Sequence, residues 1–273
     1  MIVLNTIIFY DNFEEVRNYC ESVFLLEKND VLYVQITVNK MTEKDDAKKL
    51  KDLVLKFKRI NIFYPDCNLG YMNGMIAGYE NFVEVFKSKP DFVIMSNTDI
   101  IYSDNSFLNK LLDTSYPDNV WAIGPSIYAK RRKCFDNPVS LYRRTKKQIK
   151  KIILFTKIPL IRSLYVLLSD YKARLLGNKV EPTSSIVYEL HGCFFVLKGC
   201  FVDKLIEHKY GMLLYSEEAY ISEELLLNGA LAYYDSNLKV IHCEHSVTGK
   251  INYRKVAKYI SNSMEYILKT YYE

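Results

Sequence analysis

From Ile2 to Asp99 the chain passes repeatedly between short β-branched runs and helically spaced segments, and this alternation restricts the possible folds more than any other feature. IVLNTIIFY, VLYVQITVN, INIFYP and DFVIMSNTD read as strands. DNFEEVRNYCESVFLL, TEKDDAKKLKDLVLKF and the glycine-opened NLGYMNGMIAGYENFVEVFKS read as helices between them, the first with Asp11 or Asn12 as its cap. Strands that alternate with helices of this length build a mostly parallel sheet covered by helices on both faces. VWAIGPSIYA continues as a strand. The pattern then breaks over 130–180 and resumes with VYELHGCFFVLKG, a helix near Cys200, a helix through EEAYISEELLLNG and the strand AYYDSNLKVIHCEHS. RKVAKYISNSMEYILKTYY closes the chain as an amphipathic helix.

At 273 residues, 49% hydrophobic and 25% charged, the chain has the composition to bury one substantial core. The expected organisation is one domain over 1–273: a first half over 1–125, a basic helical insertion over 130–180, and a second half with the C-terminal helix over 181–273. MIVLNTIIFYDN has no basic start and reads as a first strand, not a signal peptide. No apolar run approaches the ~20 residues of a membrane span. Cys20, Cys67, Cys134, Cys193, Cys200 and Cys243 show no C-x-x-C spacing, which suits reduced thiols in a cytoplasmic protein. Residues 130–179 hold fifteen Lys/Arg against Asp136 and Asp170, a local +13 in a chain whose total is +5, so the remainder is about −8.

Four stretches carry residues with chemistry. Glycines in Asn68-Leu69-Gly70-Tyr71-Met72-Asn73-Gly74 let a backbone approach a ligand or take positive φ, and the following helix offers unpaired N–H groups. The stretch is neither G-x-G-x-x-G nor a P-loop, and a plain strand-to-helix turn fits it equally. Ser96-Asn97-Thr98-Asp99 ends a buried strand, where a carboxylate can hold Mg²⁺ or Mn²⁺ shared with phosphates, although Asn and Asp also simply start turns. Tyr215-Ser216-Glu217-Glu218 follows an apolar run and puts two carboxylates at a helix start, a position suited to taking a proton from an attacking hydroxyl. Glu223 and Glu224, further along, read as surface or structural residues. Near the last strand's end, His242 and His245 can bind metal or phosphate. Three apart on a strand they face opposite sides, which suggests one ligand and one supporting or phosphate-binding residue.

Taken in order, these stretches resemble the family 2 inverting glycosyltransferases of the GT-A fold, especially bacterial enzymes of capsule, O-antigen and exopolysaccharide synthesis. IIFYDNFEEVRNYCESV is similar to that family's opening strand, Y-N turn and first helix, and NLGYMNG to its N-x-G-x-x-x-G turn. SNTD is similar to the N-x-D form of its metal-binding D-x-D motif, and LHGCFFVLK to the strand beside the acceptor. YSEE is similar to the E-D that provides the base, and VIHCEHS to the terminal histidine strand. The similarity runs through most of the chain and is least over 130–180. Three positions depart from the pattern: Asn97 where many members have Asp, Glu218 where Asp is commoner, and Asn39 where an Asp often binds the nucleobase.

The resemblance implies an α/β GT-A fold, Rossmann-like in its nucleotide-binding part, with a mixed, mostly parallel sheet, a basic helical insertion and a C-terminal helix. It implies donor contacts from Tyr10, Asp11, Asn39, Asn68, Gly70, Asn73 and Asn97. A divalent ion (Mn²⁺ or Mg²⁺) is implied on Asp99 and His242, with His245 behind it or on a phosphate. His191 and Gly192 would meet the acceptor, and Glu218, with Glu217 beside it, would be the base. The implied reaction moves a sugar from a nucleotide-diphosphate sugar to a saccharide or polyprenyl-diphosphate-linked acceptor in one inverting displacement. One carboxylate suffices for that, whereas a glycoside hydrolase needs a pair across the bond.

Residues 143–176 mix Lys/Arg with Ile, Leu and Phe, which suits a membrane-surface helix on anionic lipid. That places the chain peripherally on the inner face of the plasma membrane. A helical pair packed on the core or an oligomer contact are the other readings. No nucleic-acid reader motif accompanies the basic segment, so nucleic acid is not an expected partner. From another class, a non-catalytic nucleotide-sugar or carbohydrate-binding protein on the same fold is the alternative. A nucleotidyltransferase would need a basic glycine-rich loop that IIFYDNFEE lacks.

Overall fold

The computed structural model describes residues 1–158, 161, 164, 167, 168, 171, 175, 179–244 and 253–273, so His245 lies outside the described residues. Strands β1 (Val3–Tyr10), β2 (Leu32–Lys40) and β3 (Ile60–Phe63) pair in parallel, and β4 (Phe92–Ser96) joins β1 in parallel on its other side. The helices between them are α1 (Phe13–Val23), α2 (Lys44–Lys56) and α3 (Tyr71–Phe86). The short β5 (Ile100–Tyr102) and helix α4 (Phe107–Asp113) lead into β6 (Val120–Ala129) and β7 (Cys134–Phe135). Helix α5 (Lys146–Lys157), β8 (Ser185–Val187), β9 (Phe194–Lys198), α6 (Gly199–Glu207), α7 (Glu217–Leu227), β10 (Leu231–His242) and α8 (Tyr253–Tyr271) complete the described elements.

The ten strands form one mixed sheet in the order β3-β2-β1-β4-β9-β6-β10-β5, with β7 on β6 and β8 on β10. Its two longest ladders, β1 with β2 and β6 with β10, are parallel. Antiparallel β9 bridges the two halves between β4 and β6. Strand order reverses across β1 and β4, so the carboxyl ends of these strands open a crevice where α/β sheets take ligands.

Two apolar cores flank the sheet. Val16, Tyr19, Cys20 and Val23 of α1, with Leu50 and Leu53 of α2 and Phe107, Leu108 and Leu111 of α4, cover one face. Met72, Met75, Ile76, Tyr79 and Phe82 of α3 cover the other, with Phe201 and Leu205 of α6 and Tyr220 of α7. Helix α3 lies close on the strands because two of its residues lack a Cβ. A Cβ on Gly74 would stand 2.8 Å from Ile8 Cδ1, and one on Gly78 would stand 2.7 Å from Thr37 Oγ1. The Thr37 hydroxyl donates to the Gly74 carbonyl at 2.9 Å. Gly74 therefore serves helix–sheet packing.

The second acidic pair on α7 is not a solvated face. Glu223 and Glu224 are buried at 2% and 1% exposure and belong to the structural reading, with the surface reading overturned. Glu223 accepts both arms of the Arg143 guanidinium, at 3.0 and 2.7 Å, and the Tyr188 hydroxyl at 2.6 Å. Glu224 accepts from the Tyr271 hydroxyl at 2.6 Å and faces His208 Nδ1 at 3.2 Å. These buried acids fasten the start of the basic segment and the end of α8 onto α7. Because the guanidinium is half-exposed and screened while its partner is buried, Arg143→Ala is expected to lower unfolding stability by about 2 kcal/mol. Urea denaturation checks this. Replacing Glu223 by Gln in the same chain should recover part of the loss.

Candidate active site

A cleft of about 760 Å³ fills the crevice, lined by the tips of β1, β2 and β4, the loop before α3, Leu213 and Leu214, and Tyr259 of α8. Of the expected donor residues, Tyr10, Asp11, Asn39, Asn68, Gly70 and Asn97 line it, and so does Asp99. Asn73 does not: its amide donates to the Tyr210 carbonyl at 2.7 Å, tying α3 to the loop before α7.

The walls are built by local contacts that spend much of the polar chemistry. Asn39 clamps the glycine loop, donating from Nδ2 to the Gly70 carbonyl at 2.7 Å and accepting at Oδ1 from Leu69 N–H at 3.2 Å. Gly70 holds φ +79°, and a Cβ there would stand 2.3 Å from the Leu213 carbonyl oxygen, so only glycine lets the two loops meet. Asp11 pairs with Lys40 at 2.5 Å and accepts the Thr42 N–H at 2.7 Å. Its small burial acts against ionisation, but these partners win and hold the carboxyl below its usual range.

At the tip of β1, Asn12 accepts the Tyr10 N–H at 2.8 Å and donates to Thr98 Oγ1 at 3.0 Å, while the Thr98 hydroxyl donates to Glu15 at 3.3 Å. This triad ties the first turn to the strand-end stretch that holds Asn97 and Asp99. The sequence carried a signal for it in the N-x-x-E spacing of Asn12 and Glu15 at a helix start. Nothing in the sequence marked Leu213, Leu214 or Tyr259 as lining residues.

His242 does not line the cleft; it packs against Asp99, which does, with Nε2 3.4 Å from Oδ1. Both are nearly buried, and neither ring nitrogen of His242 has a hydrogen-bond partner. Behind His242, Asp136 Oδ2 lies 3.9 Å from its Nδ1 and 3.9 Å from His191 Nε2. Burial works against a charge on either imidazole. The Cys193 sulfur and nearby carboxylates outweigh it, pushing His191 up to about 9 and His242 well above the usual histidine range. The surroundings therefore favour positive charge at this spot. Among the described residues no group of three or more His, Cys, Asp or Glu is arranged to hold an ion by itself.

The other half of the site lies across Tyr71. Its hydroxyl donates to the Gly192 carbonyl at 3.2 Å, its N–H donates to the Leu213 carbonyl at 2.9 Å, and its ring edges the cleft. Gly192 in turn faces Glu218: a Cβ on it would stand 3.1 Å from Glu218 Oε2. Glu218, the second residue of α7, is half-buried, whereas Glu217 before it is buried and accepts the Tyr215 N–H at 2.8 Å. Burial first, and the adjacent Glu218 second, push the Glu217 carboxyl up to about 8. Tyr215 and Ser216 both take left-handed φ, 71° and 63°, so the chain turns sharply to present the two glutamates. Below them Arg144 and the fully buried Glu189 form an ion pair.

No protein-family model matches the sequence, and a search of curated proteins returns no match. In structure, the chain is similar to GalNAc-T7 solved with UDP, GalNAc and Mn²⁺, at TM-score 0.66 and 10% identity over 99% of this chain and 49% of that one. It is also similar to the mannosyltransferase PcManGT from Pyrobaculum calidifontis in complex with GDP-Man and Mn²⁺, at TM-score 0.55 and 7% identity over 98% of this chain and 74% of that one. The chain thus spans about half the length of GalNAc-T7. Its mixed sheet flanked by helices is the GT-A-type fold of these glycosyltransferases.

Proposed function

We propose that the chain transfers a sugar from a nucleotide-diphosphate sugar to a hydroxyl of a saccharide, including one linked to polyprenyl diphosphate, with inversion, in bacterial surface-polysaccharide synthesis. The observation that carries this reading is the pairing of His242 with Asp99, which lines a nucleotide-sized cleft, with Glu218 beyond Tyr71 and Gly192. The two structures similar in fold were each solved with a nucleotide and Mn²⁺, which supports the donor class.

Asp99 and His242 suit a divalent ion: a hard carboxylate oxygen and, once an ion takes the place of its proton, an imidazole nitrogen, in surroundings that favour positive charge. When bound, such an ion offsets the negative charge gathering on the departing nucleoside diphosphate. Tyr10, Asn68, Gly70 and Asn97 border the space for the nucleotide. Asp11 and Asn39 shape it through Lys40 and the glycine loop.

Glu218 takes the proton of the acceptor hydroxyl as its oxygen bonds to the anomeric carbon and the bond to the diphosphate breaks on the opposite face. Tyr71 holds the Gly192 backbone in front of that carboxylate. Glu217, protonated below about pH 8, fixes the tight turn rather than competing for the proton.

Three outcomes test these assignments. Glu218→Gln is expected to lower transfer by about 10²- to 10⁴-fold while donor affinity holds, measured by product formation and donor titration; full turnover would remove Glu218 as base. Asp99→Ala should abolish the stimulation of transfer by Mn²⁺, and activity unaffected by EDTA would contradict the metal assignment. Glu217 has a folded pKa of about 8 against 4.5 for the free group, so the folded state binds more protons between these values. Its contribution to stability is full below pH 4.5 and is lost as pH rises towards 8. Melting curves of Glu217→Gln should therefore gain on the parent chain from pH 5 to pH 8, and a constant difference would contradict the assignment.

A further inference from the structure

The basic segment contains two helical stretches with different fates. In α5, Ile149 and Ile153 are buried in the core that Met264 and Ile267 of α8 share, and the outward side carries exposed Lys147, Lys150, Lys151 and Leu154. Further on, positions 161, 164, 167, 168, 171 and 175 are all helical and all apolar or aromatic. Ile161, Leu164, Leu168, Tyr171 and Leu175 are spaced alternately by three and four residues, the spacing of one helix face. That face is uncovered: Leu164, Leu167, Leu168, Tyr171 and Leu175 are 51 to 61% exposed. A contiguous apolar stripe open to solvent needs a partner.

Charge selects which partner. The same segment holds fifteen Lys/Arg against two acids. Arg132, Arg143, Arg144 and Lys157 are matched by buried or neighbouring acids, whereas the outward lysines of α5 pair with no acid among the described residues. Two copies of this surface would bring like charges together, which opposes self-association. Exposed apolar side chains in so basic a segment fit a bilayer that carries anionic headgroups, with tyrosine at the headgroup level.

We propose that this face docks the chain on an anionic lipid surface, with Leu164, Leu168, Tyr171 and Leu175 entering the acyl boundary and Lys147, Lys150 and Lys151 meeting headgroups. The proposal does not depend on the sugar-transfer reading. It does not call for a span, and no helix among the described residues is long and apolar enough to cross a membrane.

The test is co-sedimentation of the full chain with phosphatidylcholine vesicles, with and without about one-third phosphatidylglycerol. Binding should require phosphatidylglycerol and fall steeply as salt is raised, since each lysine near an anionic surface is worth roughly fivefold in partitioning. Leu164→Glu with Leu168→Glu should weaken binding at least about tenfold with an unchanged melting temperature, because both side chains are solvent-exposed in the free chain. Lys147→Gln with Lys150→Gln and Lys151→Gln should weaken it while leaving the fold intact. No partitioning onto phosphatidylglycerol vesicles, or equal partitioning by the leucine variant, would overturn the proposal. A dimer in sedimentation velocity that the leucine substitutions dissolve would assign the stripe to a second copy instead.

Discussion

The antiparallel ladder between β5 and β10 is the contact on which the candidate site depends. His242 pairs in register with Ile100, and the Cys243 N–H donates to the Asp99 carbonyl at 2.9 Å. The ladder therefore delivers a histidine from near the end of the chain to the carboxylate at the end of β4. Strand side chains alternate with period two, so a slip of one residue would turn His242 to the other face of the sheet, away from Asp99. Buried contacts reinforce the register: Val240 and Ile241 run beside β6 as well as β5, and Lys130 N–H donates to the His242 carbonyl at 3.0 Å. The halves of the molecule are joined through strands, and the site lies where the joining is done.

The distribution of buried charge follows from this arrangement. Around His242 and His191 burial opposes charge, but the Cys193 sulfur, Asp136 and, for His242, Asp99 favour cations. Around Glu217, burial and a neighbouring carboxylate favour the neutral acid. The cleft thus borders, behind Asp99, a spot that favours positive charge and, past Tyr71, a helix start where one of two adjacent carboxyls is kept protonated. Under the proposed reading, that separation would serve a displacement reaction, with stabilisation of an anionic leaving group at one end and a proton acceptor at the other. Glu218 faces the Gly192 backbone, while Glu217 turns inward to its own loop, so the two adjacent residues take different parts.

Much of the fold was legible because strand and helix periods differ and the first half keeps to them. β1, β2, β3 and β4 lie where the β-branched runs put them, and β6 matches VWAIGPSIYA residue for residue. The short strands β5, β7 and β8, of two or three residues, were not legible, since a pattern of period two needs more positions to show itself. The burial of Glu223 and Glu224 was missed because sequence spacing cannot reveal that Arg143, Tyr188 and Tyr271 arrive from distant segments to satisfy them. In the site, strand ends announced Asn97, Asp99 and His242. Tyr259 and Leu213 came from a helix and a loop whose sequences carry only apolar spacing. Asn39 was legible as a strand-end polar residue, but its engagement with the Leu69–Gly70 backbone depends on how closely the loop approaches, which spacing does not encode.

The most direct test of the account is a thermal-shift screen of nucleotide-diphosphate sugars against the chain, each with Mn²⁺ and with EDTA. A ligand well above its Kd raises the melting temperature of the state that binds it. The account predicts that at least one such sugar stabilises the chain with Mn²⁺ present, that EDTA removes the shift, and that Asp99→Ala removes it as well. Stabilisation by none of them, or a shift of equal size in EDTA and in the Asp99→Ala chain, would contradict the reading of this cleft as a metal-assisted sugar-nucleotide site.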